Sequence, residues 1–233
     1  MGALRGSDRG TMIQLNEPGS ARSEEGGRPP SAATPKPRRS DQTRARILDA
    51  AEEVFGTRGY HGASVVEITK QAGVGLGTFY LYFPSKIEIY RHLLRTRQDE
   101  FIQEARRAYE GATDQRTVVQ GAFRAFFDWI GRRPMVLRLM REAEFVDPSL
   151  LADLYRTPAE EFRVRLGRAM EHGYISPTDA EVLAWCLMGM AEFVTLRWIV
   201  WTGKSELDPK QFQAFVQIVS RALGVEADAP PSS

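Results

Sequence analysis

The apolar residues of this chain recur with the spacing of an α-helix from residue 41 onward, and this periodicity constrains the fold more than any other feature. The first stretch places five apolar residues on one helical face: Ile47, Leu48, Ala51, Val54 and Phe55. No segment alternates apolar and polar residues over the length of a strand. The sequence therefore predicts an all-α fold of about nine helices.

Glycine, proline and capping residues mark where the helices start and stop. Capping boxes at Ser64-Val-Val-Glu67 and Ser85-Lys-Ile-Glu88 predict two starts, because each Ser hydroxyl and Glu carboxylate satisfies free amides there. Prolines at Asp147-Pro148 and Thr157-Pro158 predict breaks, since proline lacks the N–H that a helix needs. The second expected helix has about eight residues and follows Ser64. The others are 41–58, 76–82, 85–109, 115–131, 134–145, 158–172, 178–202 and 209–223.

Composition and charge divide the chain further. Residues 1–40 contain six Gly, five Pro and five Ser, so we expect a disordered tail, with a second one at 226–233. We expect one helical domain at 41–95 and a second, longer one at 96–225. The total of 31 basic and 30 acidic residues does not indicate a partner, but residues 36–95 hold 10 basic against 6 acidic.

A helix of about eight residues, a glycine turn and a second short helix form the pattern of a helix-turn-helix. Spacing alone equally allows three ordinary packed helices. Three features favour DNA: hydroxyl groups in Gly77-Thr-Phe-Tyr80, Lys86 at a helix start, and a basic arm ahead of the first helix. The arm contains Lys36, Arg38 and Arg39, which suit phosphates or a minor groove.

Residues 43–94 resemble the DNA-binding domain of TetR-family regulators, above all in Ala72-Gly-Val-Gly-Leu-Gly-Thr-Phe-Tyr80, Phe83 and Ser85-Lys86. The resemblance implies a cytoplasmic homodimer that represses transcription and releases DNA when a small molecule enters a C-terminal pocket. It implies phosphate contacts from Ser64, Thr78, Tyr80 and Lys86, and base contacts from Leu76, Gly77 and Tyr82. Gly75 and Leu81 depart from the residues that are common in the family.

Aromatic and Met side chains are dense in the C-terminal part, which suits either an adaptable apolar cavity or plain core. The candidate ligand-binding residues are Phe123, Phe127, Met140, Phe162, Trp185, Met188 and Phe193. Arginines near the expected rim would orient an anionic head: Arg132, Arg133, Arg138 and Arg141. The stretch from Arg141 to Pro148, followed by Tyr155, is similar to family members that respond to fatty acids or acyl-coenzyme A.

Helices 178–202 and 209–223 are candidates for a homodimer interface. The first is apolar nearly all round and the second is amphipathic, so two copies of each could form a four-helix interface. The alternative is that both helices complete a monomeric core.

Other classes of site find little support in the sequence. A single Cys186 excludes an intramolecular disulfide, and the three His residues share no metal-ligand spacing, so no metal or cofactor is expected. No acid–base or nucleophile constellation suggests an enzyme. The longest uncharged run in the apolar part, between Glu181 and Glu192, is short for a membrane span, so no membrane partner is expected and the cytoplasm is the predicted location.

The sequence thus favours a ligand-responsive DNA-binding transcriptional regulator. Its expected partners are double-stranded operator DNA, a second copy of the chain and an apolar effector such as a fatty acyl-CoA. The alternatives are a helical carrier or enzyme for apolar ligands and an unregulated architectural DNA-binding protein.

Overall fold

The computed structural model describes residues 39–108, 110–112 and 114–225. Within these residues the chain forms nine α-helices and no strand, which confirms the predicted all-α fold. In chain order they are α1 Arg39–Gly62, α2 Val65–Ala72, α3 Leu76–Tyr82, α4 Lys86–Ala108, α5 Gln115–Arg132, α6 Pro134–Val146, α7 Pro148–Glu171, α8 Ala180–Thr195 and α9 Pro209–Leu223. One turn of π-helix, Leu196–Val200, directly continues α8.

The predicted tails fall almost wholly outside the described part of the chain, which excludes residues 1–38 and 226–233. Arg39 and Ser40 were expected in the N-terminal tail, but they are the first residues of α1. Asp41 lies in the first turn of this helix, where a carboxylate is favoured by the helix dipole.

The predicted break at Thr157-Pro158 is wrong, because α7 runs through Pro158. Proline has no N–H, so the carbonyl of Leu154, one turn earlier, lacks its helical donor. Gln98 of α4 supplies the missing bond by donating from Nε2 to that carbonyl. A neighbouring helix therefore makes the proline acceptable inside α7.

The two short helices form as their capping residues predict. Ser64 Oγ accepts from the Glu67 amide at 3.2 Å, and Glu67 Oε2 accepts from the Ser64 amide at 3.0 Å. After α2, Gly73 has φ +62°, a left-handed conformation that glycine adopts without strain. Gly75 then precedes α3. The predicted helix-turn-helix is thus confirmed.

Two clusters of buried apolar side chains form the core. The first joins α1–α4 to α6 and to parts of α5 and α7, and the second joins α5 and α7–α9. The first cluster crosses the predicted domain boundary at 95–96, and the division into two domains stays a prediction. Its largest fully buried side chains are Phe55, Phe79, Phe83, Tyr90, Leu139 and Leu150.

Polar contacts also fasten α6 to the N-terminal helices. Tyr90 of α4 donates its hydroxyl to the Leu139 carbonyl at 2.6 Å. Gly59, with φ +69°, interrupts the regular geometry of α1, and the next amide, that of Tyr60, donates to Glu142 Oε2 at 2.8 Å. The end of α1 and the middle of α4 therefore both depend on α6.

The junction of α6 and α7 is held on α4 by an ion pair. Arg91 Nε donates to Asp147 Oδ2 at 2.6 Å. Asp147 also caps α7 by accepting from the Leu150 amide at 3.1 Å. Hydrogen bonds from Ser149 and Arg91 lower the pKa of Asp147 to about 2, so its charge persists through the physiological pH range.

A buried guanidinium joins α1 to α4. Arg97 is only 4% exposed and contacts Asp49 at 2.6 Å, Glu52 at 2.5 Å and Glu100 at 2.7 Å. Arg133, directly before α6, also reaches Glu52, at 3.2 Å. The charge cluster therefore ties α1, α4 and the start of α6 together.

The contact between Gln98 and Leu154 predicts a coupled effect on stability. Gln98→Ala should lower the free energy of unfolding by about 1–3 kcal/mol, because it leaves a buried carbonyl unpaired. In a Pro158→Ala background the new amide at position 158 bonds the same carbonyl, so the cost of Gln98→Ala should fall below about 0.5 kcal/mol. Chemical denaturation of the four proteins measures this coupling, and equal costs in both backgrounds would contradict it.

Candidate nucleic-acid interface and ligand cavity

The helix α3 packs on one face and exposes the other. Phe79, together with Phe83 just after the helix, is completely buried in the first core cluster. On the opposite face Leu76 is 47% exposed, Tyr80 51% and Leu81 84%. This face is therefore available to DNA, and it includes Leu81, which was not among the predicted contacts.

The remaining predicted contacts of α3 are less accessible or lack a side chain. Thr78 and Tyr82 are half-buried, and Tyr82 packs against the first core cluster. Gly77 is exposed, and a Cβ built there would have no heavy atom within 4 Å. The backbone at Gly77 thus has open space in front of it.

The hydroxyl of Ser64 is engaged within the protein. It donates to Glu67 Oε2 at 2.9 Å, and Glu67 in turn pairs with Arg58 Nε at 2.9 Å. These hydrogen bonds to Ser64 hold the pKa of Glu67 below its usual value. A phosphate at Ser64 would have to compete with Glu67 for this hydroxyl.

Lys86 was predicted to bind phosphate, and the structure gives its side chain another role. Its Nζ donates to the carbonyls of Tyr60 at 2.8 Å and Ala63 at 2.9 Å, and lies 4.5 Å from the centroid of the Tyr60 ring. An ammonium group has three donors, so two are already used. Lys86 therefore holds the end of α1 against the start of α4.

Other basic side chains remain accessible on the N-terminal helices. Of the three predicted arm residues, Lys36 and Arg38 lie outside the described residues and Arg39 is exposed at the start of α1. Arg46 and Lys70 are also exposed, and neither forms an ion pair with any residue that the structure describes. The sequence reasoning missed both, although they stand on the polar sides of amphipathic helices.

A cavity of about 210 Å³ lies among α4–α8, and its walls are mostly apolar. Predicted residues that line it are Phe123, Met140, Phe162 and Met188. Trp129 and Phe101 contribute further aromatic surface, and of these two Phe101 was not predicted to line a cavity. The cavity therefore brings together residues from helices that are distant in the sequence.

Three of the predicted ligand-binding residues lie elsewhere. Phe127 is buried between α5 and α9, with its ring 5.1 Å from that of Phe215. Trp185 and Phe193 lie on the exposed side of α8. Because α8 is apolar on both sides, composition alone does not tell which side faces the cavity.

A paired carboxylate forms part of the cavity wall. Tyr155 donates its hydroxyl to Glu192 Oε2 at 2.8 Å, and Arg141 reaches Glu192 Oε1 at 3.5 Å. Burial, and then the contact with Glu192, raises the pKa of Tyr155, so this hydroxyl remains a donor. The sequence reasoning missed Glu192 as a lining residue, since one acidic residue in an apolar helix does not indicate which side of the helix faces the cavity.

The four arginines expected at the rim are not among the described residues that line the cavity. Each faces a carboxylate instead: Arg132 with Glu104, Arg133 with Glu52, Arg138 with Glu142 and Arg141 with Glu192.

Arg165 of α7 does line the cavity. Its Nη2 lies 3.4 Å from Glu161 Oε2, while Arg106 of α4 lies 2.8 Å from the other oxygen of Glu161. Burial, and secondly the nearby charge of Arg106, lowers the pKa of Arg165. Two guanidinium groups thus contact the same carboxylate at this edge of the cavity.

The helix α8 carries a second apolar stripe that faces solvent in the single chain. Val182 is exposed on it together with Trp185 and Phe193, and Phe193 is 68% exposed. Ile218 of α9 is exposed as well. The described chain therefore presents apolar surface on both helices that were predicted to dimerise.

The segment Ala180–Val200 bears on the expectation that the chain has no membrane span. With 21 residues and a mean hydropathy of 1.4, it is long and apolar enough to cross a membrane by length and composition. The sequence analysis missed it by considering only uncharged runs. Part of the segment is buried in the fold and part forms the exposed stripe, so two apolar faces account for its composition.

Among the described residues, no group of three or more His, Cys, Asp or Glu side chains is placed to hold a metal ion. Cys186 is exposed on α8.

Comparison with known proteins connects this geometry to a family. A family model for bacterial regulatory proteins of the tetR family matches residues 47–93. The chain is 37% identical over 115 residues to the transcriptional activator FasR of Mycolicibacterium smegmatis, a match that covers 49% of this chain and 52% of FasR. The chain thus spans about half the length of that relative.

Two further comparisons extend over more of the chain. It is 30% identical over 138 residues to the transcriptional regulator UidR of Escherichia coli, covering 58% of this chain and 70% of UidR. The fold resembles that of the fatty acid degradation regulator FadR from Bacillus halodurans with a TM-score of 0.66 and 24% identity, covering 83% and 96% of the two chains. The chain belongs to the TetR family of bacterial transcription regulators, which are DNA-binding proteins and not enzymes.

Proposed function

We propose that the protein is a ligand-responsive repressor, released from its operator by an apolar effector such as a fatty acyl compound. It binds double-stranded operator DNA as a homodimer in the cytoplasm. The observation that carries this proposal is a cavity whose walls belong to α4 and α6, the same helices that hold the helix-turn-helix. Of the alternatives, an architectural DNA-binding protein needs no cavity, and a carrier or enzyme needs no helix-turn-helix.

The mechanism depends on the position of α4 and α6. Phe101 of α4 and Met140 of α6 line the cavity, whereas Tyr90 of α4 and Glu142 of α6 hold the N-terminal helices. An effector that prefers a different spacing of these helices shifts the equilibrium away from the DNA-binding arrangement. The shift is limited to the difference in affinity of the effector for the two states.

For the DNA contacts, the exposed groups of the N-terminal helices are the best candidates. Tyr80 and Thr78 would contact phosphates through their hydroxyls, and Arg39 would add charge. Leu76 and Gly77 would face the base edges. The other predicted contacts are less accessible or are not described. The side chains of Ser64 and Lys86 have internal partners, Tyr82 is half-buried, and Arg38 lies outside the described residues.

For the effector, the apolar walls favour a hydrophobic chain, and the edge at Arg165 favours an anionic head. Arg165 lines the cavity and contacts Glu161 together with Arg106, so a carboxylate or phosphate at this edge would lie near two guanidinium groups. The likeness to a fatty acid degradation regulator supports the same class of effector.

The roles of Tyr80 and Lys86 in DNA binding can be separated on a duplex selected from a random pool. Tyr80→Phe should weaken binding about tenfold or more, because a hydrogen bond to a charged phosphate is lost. Its melting temperature and the salt dependence of binding should stay unchanged, since the hydroxyl is exposed and uncharged. Lys86→Ala should lower the melting temperature because two carbonyls lose their donor.

The salt dependence then decides whether Lys86 also touches DNA. If its third N–H meets a phosphate, the log–log salt slope of the variant becomes shallower by about one unit. An unchanged slope together with a lower melting temperature would remove Lys86 from the contacts.

The dimer interface predicts the effect of a charge on the stripe of α8. Phe193→Asp should convert the dimer to a monomer, because an unpaired carboxylate would be buried against the second copy. Phe145→Asp on α6 is the matched control, since Phe145 is also an exposed phenylalanine, at 81%, but lies outside α8 and α9. Light scattering at micromolar concentration distinguishes the two, and an unsubstituted chain that is monomeric there would overturn the proposed dimer.

The effector class predicts a dependence on chain length. Release of the operator by fatty acids and their coenzyme A thioesters should improve by up to about tenfold for every two CH₂ groups until the cavity is full. Arg165→Met should weaken the response to the anionic compounds, whereas Arg163→Met, at an exposed arginine paired with Glu160, should not. Release by compact aromatic or cationic compounds, with no response to acyl chains, would show that the effector class is wrong.

A further inference from the structure

The part of the chain around α3 lacks the side chains that usually identify bases. Between Gln71 and Ser85 there is no charged residue and no Asn or Gln. Arg or Lys reads guanine, and Asn or Gln reads adenine, through two hydrogen bonds in the major groove. The helix that would enter the groove therefore cannot make these contacts.

The exposed face of α3 offers apolar surface instead. Leu76 and Leu81 are exposed at opposite ends of the seven-residue helix, with Gly77 and Tyr80 between them on the same side. Leu81 packs against almost nothing, since 84% of it is exposed. Folding of the single chain does not require an apolar residue at either position, so both side chains are free to contact another molecule.

The surroundings of this face indicate that the other molecule is a DNA duplex. Of the exposed cations, Lys70 lies on α2, which packs against α3, while Arg39 and Arg46 lie on α1, and the segment 36–95 has a basic excess. A polyanion complements this charge, while α3 itself supplies none of it. The phosphates and the bases are thus met by different residues.

We infer that α3 recognises thymine through its C5-methyl groups, which Leu76 and Leu81 contact in the major groove. The thymine methyl is the apolar group that the four base pairs present on that side. This inference rests on the proposed DNA contacts of α3. Each half-site should therefore carry thymines where α3 lies. Their methyl groups should contribute more to the binding free energy than hydrogen bonds to the same bases.

The test begins by selecting duplexes that bind the full-length protein from a random pool, and then changes single bases in a selected site. Deoxyuridine in place of thymidine removes only the methyl group, so each replacement under α3 should weaken binding about fourfold. Cytosine paired with guanine should also weaken binding. 5-Methylcytosine at the same position should recover part of the loss, because it restores the methyl group on a different hydrogen-bonding pattern.

Two variants assign the effect to side chains. Leu81→Ala or Leu76→Ala should abolish most of the difference between thymidine and deoxyuridine at one position each. Val66→Ala is the matched control, since Val66 is an exposed apolar residue of α2 outside the proposed contact. Melting temperatures should be equal for the Leu81→Ala variant and the unsubstituted protein, because Leu81 contributes little to the core.

The outcomes separate this inference from the proposed function. If a selected duplex binds equally well with thymidine and deoxyuridine at every position under α3, the methyl readout is wrong while sequence-specific DNA binding stands. If Leu76→Ala and Leu81→Ala keep the full discrimination, other groups read the methyls and the assignment is overturned. If no duplex is enriched from the pool, DNA binding itself fails.

Discussion

The packing of α1 against α4 and the start of α6 depends on the buried guanidinium of Arg97 and its carboxylate partners. Burial alone would lower the pKa of this group, but Asp49, Glu52 and Glu100 more than offset it and raise the pKa. Loss of one partner of a buried ion pair costs about 3–5 kcal/mol, because the remaining charge stays without compensation. The cluster therefore admits only those arrangements of α1 and α4 that keep the carboxylates around Arg97.

The helix α6 extends this constraint from the N-terminal helices to the cavity. One side of it accepts the Tyr90 hydroxyl and offers Glu142 to the Tyr60 amide, while Met140 faces the cavity. Close-packed interiors respond to added volume by moving whole elements rather than by gradual deformation. A ligand that displaced α6 would therefore have to move these hydrogen bonds with it, and through them the ends of α1 and α4.

Much of this fold follows from local patterns, and the exceptions have local physical reasons. Capping boxes and the Gly73 turn predicted α2 and α3, because these signals are satisfied within a few residues. Pro158 misled the prediction, since its missing hydrogen bond is replaced by Gln98, which is distant in sequence. The internal partners of Lys86 were missed for the same reason, as the Tyr60 and Ala63 carbonyls become its neighbours only in the folded chain.

The cavity shows the same limit. Phe123, Met140, Phe162 and Met188 were found by residue type, but Trp185 and Phe193 have the same character and face solvent. The two sides of α8 differ only in what packs against them, and neither periodicity nor composition contains that information. Glu192 and Arg165 were missed because a polar residue reveals its role only through its partners.

The shared core also bears on how such regulators recombine. Exchange of residues 41–95 between two family members would cut through the first core cluster. It would place the two partners of three contacts in different parents: Tyr90 with Leu139, Arg91 with Asp147 and Arg97 with Glu52. A chimaera joined after Asp147 would carry α6 and its contacts with the N-terminal helices intact. In evolutionary terms, the segment that can be exchanged to change the operator without loss of packing is therefore longer than the segment that touches DNA. It has to include α6 together with the N-terminal helices.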